Sequence, residues 1–162
     1  MKFAVDGRTL LIGLWLGAAC FFSFAVAPGA FAVLTSREDA GAVVNRTLAI
    51  LNYAGMITGL ILLASSFLWQ QNVSRFRLRL EQAALLFLTA ACSFGHFVVA
   101  SRLSELRGQI GRPIDELAID DPMRVAFNDL HGHSVMILIA AMISAVIAFF
   151  LIARRARDFE NK

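Results

Sequence analysis

Four stretches without a single Asp, Glu, Lys or Arg, residues 9–36, 47–74, 82–101 and 130–153, decide the solvent in which this chain folds. A helix needs about 20 mostly apolar residues to cross the hydrocarbon of a bilayer, and each stretch is long enough. Lipid offers no water to backbone N–H and C=O groups, so such segments satisfy themselves as helices. The expected fold is all-α: a single four-helix transmembrane domain over residues 1–162, arranged as an up-down bundle. Its spans are expected near 9–34, 47–70, 80–102 and 129–153, with an outer loop at 103–128. A hydrophobic fraction of 58% excludes an ordinary soluble domain of this size, whose core would be wrapped in charge.

Charge placement gives an orientation. Lys2 and Arg8 precede the first span, Arg75, Arg77 and Arg79 lie between the second and third, and Arg154, Arg155, Arg157 and Lys162 follow the fourth. With four crossings these share one side. The opposite side has six arginines, Arg37 to Arg124, outnumbered by eight carboxylates from Glu38 to Asp129. Basic residues near helix ends stay cytoplasmic, so both termini are expected inside, in a bacterial-type plasma (inner) membrane. The net charge of +3 is then a topology and anionic-lipid signal rather than a nucleic-acid surface. The first apolar run is about twice the length of a secretory signal's core, which favours a retained anchor.

Several residues shape the helices. Pro28 lacks an N–H for the carbonyl of Phe24 and should kink or end the first helix. Residues 36–39 read as a short outer turn, and Trp69 as an interfacial ring closing the second helix. The third helix should run on to a break at Gly108 or Gly111, and Asp121-Pro122 reads as a cap followed by a first-turn proline. Gly13-x-x-x-Gly17 and Gly55-x-x-x-Gly59 permit close helix approach, and Asn52 is a candidate polar clasp. Phe24-Ala-Val-Ala-Pro28 is echoed by Phe97-Val-Val-Ala-Ser101, the mark of a tandem duplication of one hairpin.

Chemistry rests on three histidines. His96 lies six residues below Arg102, about 9 Å deeper along a helix, while His131 and His133 open the fourth span. Residues two apart on a helix diverge by about 200°, so His131 and His133 cannot hold one ion together. Cys92 and His96 share a face, as do Phe127, His131, Ser134 and Leu138. If the two stripes meet, His96 and His131 with Cys92 below would suit a soft metal such as monovalent copper, or the two imidazoles would ligate haem b. Met123 and Met136 are nearby soft residues. The alternative is that the imidazoles merely clasp helices in a structural or assembly partner of a membrane complex. Cys20 and Cys92 both fall in apolar runs and are expected to be free thiols. No nucleotide loop, Cys-x-x-Cys, His-Glu-x-x-His or nucleophile elbow is present, and the uncharged spans suggest no ionisable relay inside the membrane, so the chain reads as non-enzymatic. Its expected partners are the lipid bilayer and a second copy or another membrane protein, with no nucleic acid.

The stripe from Phe127 through His131 to Ser134, together with Val26-Ala-Pro28-Gly-Ala-Phe31, resembles the transmembrane-protein-205-like domain family. That resemblance implies a small four-helix membrane protein, with Pro28, Phe31, Phe127, His131 and Ser134 as its motif positions. The family pattern has a further proline near the position of Ser101, which this chain lacks, and it includes neither His96 nor Cys92. Its eukaryotic relative is linked to platinum resistance, and the architecture is similar to copper-resistance-D-type proteins, so the resemblance implies a role around metals.

Overall fold

The computed structural model describes residues 2–68 and 74–160, without the side chains of 2, 4 and 156–160. Trp69 lies outside the described residues. Four helices long and apolar enough to span a membrane make up the fold, with no strand among the described residues. Each runs antiparallel to the next in the chain, and the first also packs on the fourth, which places the first and third helices on a diagonal.

The first helix comprises Lys2–Phe21, a wide π-helical turn at Phe22–Val26, and Ala27–Val33. Pro28 therefore neither ends the helix nor leaves it without hydrogen bonds. The Ala27 N–H reaches back five residues to the Phe22 carbonyl, and this wider turn accommodates the donor that proline lacks. The helix ends at Leu34, whose backbone is extended. The expected turn at residues 36–39 is shorter than its pattern suggested. Ser36 caps the second helix, Arg37–Leu68: its hydroxyl accepts the Asp39 N–H at 3.2 Å and its carbonyl the Ala40 N–H at 3.0 Å. Glu38 and Asp39 then sit in the first turn, where the helix dipole favours anions.

The third helix runs Arg75–Phe94, through a second π-helical stretch at Gly95–Ala100, and on as Ser101–Ile110. Gly111 stops it at φ 63°, a left-handed conformation natural to glycine, with its N–H on the Arg107 carbonyl. After a 3-10 turn at Ile114–Glu116, Asp121 accepts the Met123 N–H at 2.8 Å and Pro122 opens the fourth helix, Pro122–Glu160. The outer stretch 103–128 is thus helical at both ends, as the break at Gly111 and the cap at Asp121-Pro122 suggested, and the true connection is residues 111–121. Its charged residues extend the rods beyond the apolar windows from which the spans were read.

The interior has a regular register. Arg8, Ile12, Trp15, Ala19 and Phe22 of the first helix are buried, and so are Glu81, Leu85, Leu88, Cys92 and Gly95 of the third, each 73 positions later. The two π-helical turns begin at the same offset, Phe22 and Gly95. Gly55, Thr58, Gly59, Leu62 and Ser66 of the second helix match Ala141, Ser144, Ala145, Ala148 and Ile152 of the fourth, each 86 later. The two hairpins thus bury corresponding helical registers, with a longer connection in the second.

Close contact between the helices is made by small residues. A Cβ on Gly55 would stand 2.5 Å from the Cys92 sulfur and 2.7 Å from Trp15 Nε1, and one on Gly59 would collide with the Thr89 hydroxyl. Trp15 uses the space beside Gly55 to donate its indole N–H to the Leu51 carbonyl at 3.0 Å, so the ring is buried without an orphaned donor.

Candidate functional site

The strongest polar feature lies on the diagonal between the first and third helices, near the end that carries Lys2 and Arg75. Arg8 and Glu81 each continue the buried register of their helix and face each other. Arg8 Nη2 donates to Glu81 Oε1 at 2.7 Å and to the Leu62 carbonyl at 3.0 Å. Arg155, from the last turns of the fourth span, approaches the other carboxylate oxygen at 2.8 Å. All three are buried, with Glu81 only 1% exposed. The first, third and fourth helices are thus joined through one carboxylate, and the Leu62 carbonyl brings in the second.

The two arginines are held differently. Arg8 makes aligned hydrogen bonds through Nη2, while its Nε and Nη1 are buried without a partner. The Arg155–Glu81 approach lacks hydrogen-bond alignment, so that contact is electrostatic rather than directional. A smaller polar group lies close in sequence: Gln82 donates to the Ser66 hydroxyl at 3.1 Å, and Ser66 to the Leu63 carbonyl. Ser144 donates to the Ala84 carbonyl at 2.7 Å, tying the fourth helix to the third.

The uncharged stretches themselves hold no Asp, Glu, Lys or Arg, but this triad at their borders turns into the bundle, which the linear sequence does not suggest. Arg8, Glu81 and Arg155 border the uncharged stretches and read as interfacial charges in a linear sequence. Glu81 nevertheless continues the buried stripe Leu85, Leu88 and Cys92, and Arg8 continues Ile12, Trp15 and Ala19. That helical register is the signal by which the pair could have been found.

The histidines lie elsewhere. The His96 ring packs on Tyr53 at 4.3 Å between centroids and on Phe97 at 4.9 Å, and its Nδ1 is buried without a partner. His131 is exposed and lies parallel to Phe127 at 6.5 Å, and the Arg107 guanidinium sits 5.4 Å over that Phe127 ring. Among the described residues no ring contact joins His96 to His131. Cys92 meets Gly55 and Trp15, and His96 meets Tyr53, so both contact the second helix but at separate places. Among the described residues no three or more His, Cys, Asp or Glu side chains gather where they could hold a metal ion.

Of the other motif residues, Pro28 and Phe31 are exposed on the first helix, and Ser134 is half-buried on the fourth. Asn52 is buried against Gly95. The two glycine motifs differ. Gly55 and Gly59 make close approaches, Gly13 meets only the Phe149 ring, and Gly17 has nothing within 4 Å of where a Cβ would stand. Gly13 and Gly17 instead line an open groove of about 740 Å³ between the first and fourth helices. Cys20 and Cys92 are both free thiols.

A family model described as a domain of unknown function, DUF4149, matches residues 10–112. The chain belongs to this family. No curated protein and no solved structure matches it. The match takes in Glu81, Cys92, His96 and both π-helical turns, while Arg8, Arg155 and the Phe127–His131 pair lie outside it.

Proposed function

We propose that this DUF4149 protein is a non-catalytic, multi-pass component of a bacterial-type plasma membrane, with both termini in the cytoplasm, serving as a structural or assembly partner of a membrane complex. The observation that supports this reading is the commitment of its reactive side chains to the bundle itself. The Cys92 sulfur fills the notch at Gly55, the His96 ring lies against Tyr53 and Phe97, and the Glu81 carboxylate is taken up by two arginines from other helices. With Arg8 and Arg155 engaged inside, the cytoplasmic assignment rests on the remaining basic residues at that end, among them the exposed Arg75, Arg79 and Arg154. Native electrophoresis at natural expression level tests the assembly role. Migration in a larger, discrete species supports it, and a monomer under all mild detergents refutes it. Protease cleavage at residues 75–79 only from the cytoplasmic side tests the orientation.

A second reading has one observation in its favour, the unpartnered Nδ1 of His96. It makes the chain a carrier of a soft, copper-like metal, the role that the transmembrane-protein-205-like and copper-resistance-D-type resemblances would imply. Haem b ligation by His96 and His131 is the related alternative. Elemental analysis and a visible spectrum of the purified protein distinguish them: copper lost in His96→Ala supports the first, and a Soret band the second.

A further inference from the structure

The triad carries two guanidinium groups and one carboxylate, so it holds one uncompensated positive charge. Its residues are 6%, 1% and 5% exposed, too little for solvent to screen that charge. Burying an unpaired charge is costly, and ionisable groups retained at membrane depth mark functional sites by default. Among the described residues no second carboxylate pairs with Arg8 or Arg155. Two nitrogens of Arg8 still lack acceptors, and Arg155 is held without directional bonds.

We infer that this cluster binds a phosphate group, whose negative charge and acceptor oxygens supply what Glu81 alone does not. Glu81 is six residues into the third helix, about 9 Å from its start, a depth that a group at the bilayer interface can reach. Exposed Arg75, Arg79 and Arg154 lie at the same end and attract anions toward it. Guanidinium groups match phosphate oxygens in both geometry and charge. The phosphate is either that of an anionic lipid headgroup or free inorganic phosphate.

The experiment uses the full chain purified in a neutral maltoside detergent. Thermal unfolding is followed with inorganic phosphate at constant ionic strength, and separately with phosphatidylglycerol or phosphatidylcholine in the micelles. A saturating ligand should raise the Tm by roughly 5–10 °C. A rise with phosphate identifies the free anion; one with phosphatidylglycerol but not phosphatidylcholine identifies the headgroup. The rise should vanish in the apolar triple variant Arg8→Met/Glu81→Leu/Arg155→Met. Native mass spectrometry of the unaltered chain needs no variant and should show retained phosphate or phosphatidylglycerol. The inference is overturned if neither probe shifts the Tm or is retained, if chloride acts as well as phosphate, or if the triple variant responds like the parent.

Discussion

Glu81→Gln should be the most damaging conservative substitution in the chain. The change preserves shape and removes one negative charge, leaving the Arg8 and Arg155 guanidinium groups facing a neutral amide. Their contacts with the carboxylate are 2.7 and 2.8 Å, and all three side chains are almost completely buried, so solvent does not moderate the loss. Breaking a buried ion pair by removing one partner costs about 3–5 kcal/mol. Two pairs share Glu81, which places the cost at the upper end of that range. At roughly 2–4 °C per kcal/mol for a chain of this size, the Tm should fall by about 10–20 °C. Intrinsic fluorescence in detergent follows it well, because Trp15 is buried and hydrogen-bonded to the Leu51 carbonyl. The apolar triple variant Arg8→Met/Glu81→Leu/Arg155→Met should recover most of the loss, since it leaves no stranded charge. A Glu81→Gln protein within about 1 kcal/mol of the parent, or a triple variant as unstable as the single, would refute the argument.

Three further outcomes are expected. Gly55→Ala should destabilise by about 1–3 kcal/mol, because its methyl meets the Cys92 sulfur and Trp15, whereas Gly17→Ala should be neutral or stabilising by up to about 1 kcal/mol; paired thermal melts check the contrast. Trp15→Phe should cost about 1 kcal/mol for the lost bond to the Leu51 carbonyl, read by chemical denaturation against the parent. A small maleimide in detergent should label half-buried Cys20 well before Cys92, which is 1% exposed, and Cys92 should react only on unfolding; peptide mass mapping distinguishes the two.

How much of this could be read in advance depended on whether a feature was local. The caps at Ser36 and Asp121 and the stop at Gly111 use hydrogen bonds spanning a few residues, so residue type and position largely predict them. Pro28 was harder. The missing donor is visible in the chain, but whether a helix breaks or widens around it depends on the helices beside it. The histidine stripes were extrapolated along straight helices, and whether two such stripes face each other depends on helix rotation, which left His96 on Tyr53 and His131 beside Phe127.

What the residues determined alone was the solvent and the secondary structure. Four uncharged runs of sufficient length can satisfy their backbones in lipid only as helices, whatever their neighbours do. Only the tertiary structure decided which charges lie inside. Arg8, Glu81 and Arg155 border those runs like any interfacial residue. Their meeting depends on the rotation of three helices about their axes, a quantity set by how Gly55, Gly59 and the small residues of the fourth helix let the rods approach.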